Sequence, residues 1–430
     1  MKRKLVFLLI VTLMPILAIS QIVIDPPKKK KTPKKEKTTT KKNTTNSKSK
    51  GKQKSGSSTP NKHTHTPSKP ITSPSKQQNS NTLEKEKEVI SDTKDQSEKK
   101  TVEVKQFTVG NVKYKVANSS KKYVVLLSWW GASGKIDIPS TVNYNGVVYT
   151  VTEIGENAFR KCTELTYVYI PNTITKIGRN AFIECVGLKR VGISDLEGWC
   201  NIDFDGWNSN PLNYSHNLYI KGKLITNLQI PKTIKTIKAR VFSGCRGLTS
   251  VTIPTSITSI GKDAFSGCNG LTKVDISELE AWCNIDFDGW NSNPLNYSHN
   301  LYLKGKLLTN LQIPKTIKTI KAYVFAGCSR LTSIEIPNSV TSIGENALRD
   351  CSSLTSVEIP NSVTSIGEVA FAGCSGLTSI DIPNSLTSIG DYAFYNCTSL
   401  KSVSIPSRFK SRKDKIFQDC PNLTDIKWIN

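Results

Sequence analysis

No cysteine precedes Cys162, and no stretch after residue 20 is apolar enough to cross a membrane. The first absence excludes a lipid anchor on an N-terminal cysteine, and the second predicts a mature chain without a transmembrane segment. Aromatic residues are missing from residues 21–105, where lysine is most frequent, so the base-stacking contacts typical of nucleic-acid binding are not available there. No Cys-x-x-Cys pair occurs, which disfavours zinc. These absences predict no metal, no cofactor and no specific nucleic-acid partner.

The first 20 residues have the three parts of a secretory signal peptide. Residues 2–4 form a basic start, residues 5–19 are apolar, and Ala18-Ile19-Ser20 offers a small-x-small cleavage site. The apolar run is shorter than the roughly 18 residues that a membrane span needs, so cleavage is favoured over anchoring. The mature protein is therefore predicted to be secreted or held at a cell surface.

Residues 21–105 are rich in Lys, Thr, Ser, Asn, Gln and Pro and are named the tether. Up to Lys105 the chain carries 25 Lys and Arg against 9 Asp and Glu, whereas the remainder carries 34 against 25. The tether has almost no large apolar residues to bury, so it is predicted to be disordered. A solvated spacer is the favoured interpretation, and the alternatives are attachment to anionic polymers of a cell envelope or a glycosylated Ser/Thr/Pro stalk.

Residues 331–399 contain one 23-residue pattern three times in succession, as LTSIEIPNSVTSIGENALRDCSS, LTSVEIPNSVTSIGEVAFAGCSG and LTSIDIPNSLTSIGDYAFYNCTS. The common frame is L-x-x-V/I-x-I-P-x-x-V/I-x-x-I-G-x-x-A-F-x-x-C-x-x. A fixed period of this length indicates a solenoid, because each unit is too short to bury a core alone and must stack on its neighbours.

Within the frame, the apolar residues at positions 1, 4 and 6 predict a short strand that ends at the proline. A second pair of apolar residues predicts that the chain returns along the other side of the coil. There Gly367 would permit a turn, and Ala370, Phe371 and Cys374 would form one helical turn. The predicted fold is a β-rich repeat solenoid, an arc with one parallel β-sheet face and short strand and helical-turn returns. Strands are expected to start near Ser133, Leu165, Leu188, Ile225, Leu248, Leu271, Leu308, Leu331, Leu354, Leu377, Leu400 and Leu423.

The predicted solenoid covers residues 133–430, with residues 106–132 as an N-terminal capping hairpin and residues 400–430 as a C-terminal cap. The hairpin should turn at Asn118-Ser119-Ser120 and bury Trp129 and Trp130.

Two units, 188–224 and 271–307, are 37 residues long, nearly identical, and lack the marks of the frame. Each is predicted to be a coil whose return is replaced by a longer aromatic excursion. The excursions should end in hairpins at Lys221-Gly222-Lys223 and Lys304-Gly305-Lys306.

The unit I-P-x-S-V-T-S-I-G-x-x-A-F-x-x-C and the long unit L-E-x-W-C-N-I-D-F resemble the BspA-like, or Treponema pallidum-type, leucine-rich repeat proteins. The resemblance covers residues 107–430 and leaves the tether outside. It implies a leucine-rich-repeat solenoid on an exported bacterial or protist surface protein. Members of that family act in adhesion to host proteins and in co-aggregation, so the resemblance implies a similar role here.

Nine of the eleven cysteines share one repeat position, which predicts an inward ladder of buried thiols. The spacing of adjacent coils would permit disulfides on distance alone, but side chains in register point the same way, so free thiols are favoured. The pairs Cys200 with His216 and Cys283 with His299 would suit a nucleophile and its base. Packing is the favoured interpretation of both pairs, since nothing in the sequence supplies an orienting group or an oxyanion hole.

The stretch Asp203 to Asn210, repeated from Asp286, superficially resembles a calcium loop. Its glycine stands at the fourth place instead of the sixth and no glutamate follows at the twelfth, so a turn is favoured.

Positions 2, 3 and 5 of the frame should point outward and form a Thr/Ser-rich face with an acidic stripe. Solenoid sheets are frequent recognition surfaces, although Thr also favours strands for its own reasons. The candidate binding face consists of Tyr167, Tyr169, Asp275, Glu335, Glu358 and Asp381.

The preferred hypothesis is a non-enzymatic binding protein whose solenoid contacts extracellular proteins or glycans. The alternative is a polyanion-binding or envelope-binding protein that acts through the tether.

Overall fold

The computed structural model describes residues 105–430. The predicted signal peptide (1–20) and the tether as far as residue 104 lie outside the described residues. Among residues 105–430, no helix is both long and apolar enough to span a bilayer. The described residues form a β-rich solenoid that begins with a group of capping strands, as the repeat period predicts.

The N-terminal end is an antiparallel meander followed by the first solenoid strands. Its hairpin at residues 118–123 lies where the sequence predicts it, and one further strand, β1, pairs with the first arm. Residues 143–151 belong to a second hairpin, and its longer arm, β6, pairs in parallel with β3. The strands in this part are β1 (Gln106–Val109), β2 (Val112–Asn118), β3 (Tyr123–Trp129), β4 (Gly134–Asp137), β5 (Thr141–Tyr144), β6 (Val147–Ile154), β7 (Leu165–Ile170) and β8 (Lys176–Ile177).

The two adjacent tryptophans of the cap have different environments. Trp129 packs on Phe159, with 6.0 Å between ring centroids, whereas Trp130 is 53% exposed. The prediction that both tryptophans lie in the cap core is therefore wrong for Trp130. Successive side chains at the end of a strand point to opposite faces, so only one of the two can face inward.

Each 23-residue unit adds one strand to a front row, which carries positions 1–6, and a two-residue strand to a back row, which carries the I-G step. A front strand occurs at all twelve predicted places. Residues 188–270 contain β9 (Arg190–Ile193), α1 (Leu196–Cys200), β10 (Asp203–Phe204), a 3-10 turn (Trp207–Ser209), α2 (Leu212–Ser215), β11 (Leu218–Ile220), β12 (Lys223–Leu224), β13 (Asn227–Gln229), β14 (Thr236–Ile237), β15 (Ser250–Ile253) and β16 (Ser259–Ile260).

The next block repeats this order, and shorter units follow it. Residues 271–343 contain β17 (Lys273–Ile276), α3 (Leu279–Cys283), β18 (Asp286–Phe287), a 3-10 turn (Trp290–Ser292), α4 (Leu295–Ser298), β19 (Leu301–Leu303), β20 (Lys306–Leu307), β21 (Asn310–Gln312), β22 (Thr319–Ile320), β23 (Ser333–Glu335) and β24 (Ser342–Ile343). The last units contain β25 (Ser356–Val357), β26 (Ser365–Ile366), β27 (Ser379–Asp381), β28 (Ser388–Ile389), β29 (Ser402–Pro406), a 3-10 segment (Ser407–Arg412), α5 (Lys413–Ile416) and β30 (Asp425–Ile429).

The front row is parallel but is divided into four hydrogen-bonded sheets instead of the single sheet predicted. Two breaks follow the long units, where the antiparallel hairpins β11–β12 and β19–β20 end a sheet and β13 and β21 begin the next. These hairpins contain the Lys-Gly-Lys turns predicted from the sequence. A third break separates β25 from β27. Each long unit therefore contributes two strands to the front row but only one to the back row. The additional front strands are β11 and β19.

The glycine of the I-G step has a different role from the predicted turn. A Cβ on Gly367 would lie 2.5 Å from the backbone nitrogen of Glu345 in the preceding coil, so glycine is needed for close stacking. The positive φ falls two residues later, at Val369 (φ 59). After each long unit the glycine is replaced by lysine, and the Nζ of Lys238 reaches back to the carbonyl oxygen of Asn201 at 2.7 Å.

Two ladders fill the core behind the rows. Phenylalanine rings of adjacent coils stack, as in Phe371 on Phe394 with 5.1 Å between centroids. The nine cysteines at the shared repeat position form the predicted inward ladder of free thiols, and seven of these nine are buried. In six coils the thiol donates to a carbonyl of the preceding coil, as Cys185 does to Phe159 at 3.0 Å. Each of these thiols thus donates to a buried backbone carbonyl oxygen that would otherwise lack a hydrogen-bond partner.

The ends of this ladder should be its only reactive thiols. Cys162 and Cys420 are half-buried, and the pKa of each is lowered, chiefly by its side-chain interaction with the thiol of the adjacent coil. Burial raises the pKa of interior thiols, for example that of Cys245 to about 12. We expect a thiol reagent at neutral pH to label two of the eleven cysteines in the folded protein and all eleven in denaturant. Rapid labelling of more than two in the folded state would contradict the buried ladder.

Candidate binding surface

The six residues predicted for the binding face lie on three separate parts of the front row. Tyr167 and Tyr169 belong to β7, near the N-terminal end of the solenoid, and Asp275 belongs to β17. Glu335 ends β23, Glu358 follows β25 and Asp381 ends β27. The three last residues are named the acidic strip. The sequence-based set is therefore not one contiguous site.

Around β7 the outward residues of four front strands line a cleft of about 580 Å³. Register places Asp137, Tyr169, Gly192 and Tyr219 in one row across β4, β7, β9 and β11. Tyr167 stands in the row below, between Lys135 and Arg190. The three tyrosines are half-buried. This cleft, lined by Lys135, Asp137, Tyr167, Tyr169, Gly192 and Tyr219, is named the tyrosine cleft.

The floor of the tyrosine cleft depends on Gly192. A Cβ at this position would lie 2.2 Å from the hydroxyl oxygen of Tyr167, so the tip of that ring lies directly over the glycine. Glycine inside a strand weakens the strand and marks places of close approach. The pKa of Tyr167 is raised, first by burial and then by the charge of Asp137. The phenol is therefore neutral and its ring is a fixed part of the cleft wall.

Polar groups at the rim of the cleft are held in place by one another. The Nζ of Lys135 lies 3.2 Å from the carboxylate of Asp137 and 5.3 Å from the ring centroid of Tyr167. The hydroxyls of Tyr169 and Ser194 share a hydrogen bond of 2.9 Å. The amide of Asn172 donates to Asp195 at 3.0 Å. This network fixes the orientation of the aromatic rings before any partner arrives.

The acidic strip is more open and less organised. Glu335, Glu358 and Asp381 are exposed, and they line two adjoining depressions of about 740 and 1280 Å³. Glu335 accepts a hydrogen bond of 3.0 Å from the side chain of Gln312. None of the three carboxylates forms an ion pair within residues 105–430. The strip therefore offers negative charge without aromatic anchors.

Asp275 contributes to the structure of the second long unit. Its carboxylate lies 2.8 Å from the Nζ of Lys273 and accepts the backbone N–H of Gly305 at 3.0 Å. The side chain of Asp275 is only 19% exposed. Because its oxygens hold the β19–β20 hairpin, Asp275 has a structural role, and its contact with a partner stays a prediction.

The repeat pattern, its strands and its outward face allow a comparison with known proteins. A sequence model described as the BspA type leucine rich repeat region matches six copies, over residues 139–203, 215–290 and 297–424. The chain belongs to the BspA-type leucine-rich repeat family. A comparison with curated proteins finds no significant match.

Several solved structures are similar to this BspA-type chain. A leucine rich cell surface protein from Faecalibacterium prausnitzii is 25% identical with a TM-score of 0.50, over 76% of this chain and 95% of the other. A leucine-rich repeat protein from Bacteroides ovatus is 25% identical with a TM-score of 0.33, over 75% and 100%. The pneumococcal vaccine antigen PcpA is 18% identical with a TM-score of 0.46, over 76% and 88%.

The Cys–His pairs of this BspA-type chain serve packing. Cys200 is fully buried in α1, and burial raises the pKa of its thiol to about 12. The Nδ1 of His216 lies 3.1 Å from the carbonyl oxygen of Gly244, in the turn that ends α2. A thiol that stays protonated near neutral pH is a poor nucleophile.

The Asp- and Asn-rich stretch of the long unit forms turns, as predicted. Asp203 pairs with Lys238 at 2.8 Å, and Gly206 has a φ of 99°. The side chain of Asn210 donates to the carbonyl oxygen of Arg240 at 2.7 Å and accepts the backbone N–H of Leu212 at 2.9 Å. Within the part of the chain that the structure describes, no group of three or more His, Cys, Asp or Glu could hold a metal ion.

Four residues of the tyrosine cleft, Lys135, Asp137, Gly192 and Tyr219, are missing from the sequence-based set. The two long units contain a usable signal, because Gly192 in the first corresponds to Asp275 in the second. This difference, glycine in one copy and aspartate in the other, separates an open cleft from a position filled by a side chain. Tyr219 carries no such signal, since its counterpart Tyr302 is also tyrosine.

Proposed function

We propose that this BspA-type chain is a non-enzymatic binding protein, exported and either secreted or held at a cell surface, which contacts extracellular proteins or glycans in an adhesin-like role. The tyrosine cleft is the observation that carries the proposal. It presents three half-buried aromatic side chains, already oriented by their neighbours, on the outward face of a solenoid. Rigid, partly buried tyrosines are the residues that most often anchor binding partners.

Export is supported by the signal-like first 20 residues. It is also supported by the likeness to a cell surface protein of Faecalibacterium prausnitzii. The tether would then act as a spacer between the solenoid and the surface. Enzymatic activity has little support, because the Cys–His pairs are engaged in packing.

A second function, binding of polyanions through the tether, is supported by its 22 basic against 9 acidic residues. Contacts between lysines and an anionic polymer weaken steeply with salt, whereas contacts made by aromatic side chains do not. This difference allows the two functions to be separated experimentally.

The test compares residues 21–430 with residues 106–430 in binding to matrix proteins and glycans at low and high salt. We expect the shorter chain to keep a partner with little dependence on salt, because the cleft lies within it. Binding by the longer chain alone, abolished by salt, would instead assign the activity to the tether.

A further inference from the structure

The two long units provide an internal comparison for the tyrosine cleft. They differ at six positions, of which residue 192 lies in the front row between Tyr169 and Tyr219. In the second copy the corresponding row is Thr252, Asp275 and Tyr302. There the aspartate is paired with Lys273, whose Nζ also lies 4.7 Å from the centroid of the Tyr302 ring. Only the first copy therefore combines three tyrosines with a residue between them, Gly192, that has no side chain.

The cleft suits a small ring better than a peptide strand. Both edges of β7 are paired with β4 and β9, and both edges of β11 are paired with β9 and β12, so no backbone donors are free beside the tyrosines. Its volume of about 580 Å³ falls within the range typical of small-ligand sites. Aromatic faces carry partial negative charge and attract polarised C–H groups. A pyranose ring has C–H groups on one face and hydroxyls at its edge.

The rim supplies partners for such hydroxyls. The carboxylate of Asp137, the side-chain amide of Asn172 and the hydroxyl of Ser194 all line the cleft, close to the tyrosines. Each has an oxygen with spare hydrogen-bonding capacity beyond the internal bond it makes. Aromatic walls with a few convergent polar groups at one edge are the arrangement that fixes the orientation of a polar ring.

Charge then favours an acidic sugar over a neutral one. The single carboxylate that lines the cleft, Asp137, is neutralised by Lys135 at 3.2 Å. Lys221 also lines the cleft, and the guanidinium of Arg190 lies 5.4 Å from the Tyr219 ring centroid. Neither Lys221 nor Arg190 is in an ion pair among the described residues. Lys221 therefore offers a ligand carboxylate an uncompensated cation in the cleft lining, and the Arg190 guanidinium adds positive charge beside the Tyr219 ring.

We propose that the tyrosine cleft binds a pyranose ring that carries a carboxylate, as uronic and sialic acids of acidic glycans do. The inference rests on the proposed function of the chain as a binding protein and names the ligand class of one site. The ring stacks on the tyrosines above Gly192, and the carboxylate faces Lys221.

The test uses the full chain and a matched pair of probes, methyl β-D-glucuronide and methyl β-D-glucoside, which differ only in the carboxylate. Binding is followed by saturation-transfer NMR, which reads the sugar C–H groups directly. We expect the glucuronide to bind more tightly than the glucoside, and its affinity to fall as salt is raised. Gly192→Asp should weaken glucuronide binding by about tenfold or more, because the new side chain displaces the Tyr167 ring.

Two further variants keep the test independent of folding. Tyr219→Ala should cause a similar loss, since it removes one wall of the cleft without changing a buried residue. Tyr302→Ala, at the same strand position of the second copy, should leave affinity unchanged. Thermal unfolding of each variant shows whether a loss of binding is a loss of fold.

Each other result contradicts a stated part of the inference. Sugar binding that survives both Gly192→Asp and Tyr219→Ala, or equal binding of the two glycosides, overturns it while leaving the chain a binding protein. No sugar binding, together with capture of a matrix protein that Gly192→Asp abolishes, makes the cleft a protein site and supports the proposed function. A chain that binds neither sugar nor protein refutes both.

Discussion

The free energy of unfolding should fall steeply between about pH 9 and about pH 12. Nine thiols are buried, and burial raises the pKa of Cys200, Cys245, Cys283 and Cys328 from 9.0 to about 12. The unfolded chain loses these protons near pH 9, whereas the folded chain retains them. Since the unfolded state then binds fewer protons, stability decreases as pH rises, by about 1.4 kcal/mol per pH unit for each thiol.

The nine thiols together give a slope of roughly 12 kcal/mol per pH unit if the whole solenoid unfolds at once. Repeat arrays can unfold in sections, in which case the slope reports the number of thiols in each section. Denaturant midpoints followed by circular dichroism at successive pH values, with a reductant present, would measure it.

Single substitutions test the origin of this slope. Cys374→Ala removes one fully buried thiol and should reduce the slope by about 1.4 kcal/mol per pH unit, whatever it does to stability at neutral pH. Cys420→Ala removes a half-buried thiol whose pKa is lowered, so it should not reduce the slope. Stability that stays constant up to about pH 11 would contradict a ladder of buried free thiols.

Trp199→Ala should cost about 3–5 kcal/mol of stability. The Trp199 side chain is only 2% exposed, packs edge-on to Phe204 with 5.3 Å between centroids, and donates from Nε1 to the carbonyl oxygen of Val241 at 3.0 Å. This bond links α1 of the long unit to the next coil, 42 residues further on. Loss of the indole therefore leaves a cavity at a coil-to-coil interface, and unfolding curves should show the solenoid separating there.

The duplicated block offers both a replicate and a control for that variant. Trp282→Ala removes the equivalent indole, which donates to Val324 at 3.0 Å, so it should cost a similar amount. Trp207→Ala removes a ring that is 47% exposed and lies 5.9 Å from the Arg240 guanidinium, so about 1 kcal/mol or less is expected. Denaturant titration of all three provides the measurement, and equal losses for Trp199 and Trp207 would contradict the packing described.

Much of the fold could be read from the repeat frame. The twelve front strands, the inward cysteines and the hairpins at Lys221 and Lys304 lie where the sequence indicates. Each follows from a local rule, because alternation along a strand decides which residue faces inward and Lys-Gly-Lys favours a tight turn. The expectation that both tryptophans are buried was wrong for Trp130, because adjacent residues at the end of a strand point to opposite faces.

The candidate surface could be read only in part. Tyr167 and Tyr169 were identifiable as outward aromatics, but Gly192 and Tyr219 join them only through strand register across coils. Asp275 was expected to contact a partner, yet its carboxylate holds the hairpin at Gly305. Whether a side chain points outward depends on its own strand. Whether it is free to contact a partner depends on which residues of the neighbouring coils lie beside it.

The sequence by itself therefore determined the solenoid, its family and the direction in which each repeat residue points, because these depend on a period that every unit shares. The tertiary structure alone decided where the sheet is interrupted, why Gly367 is glycine, and which outward residues form a cleft. Those features arise between coils that are 23 or more residues apart in sequence. Contacts of that kind are set by how closely two backbones stack, and the pattern within a single unit does not encode that distance.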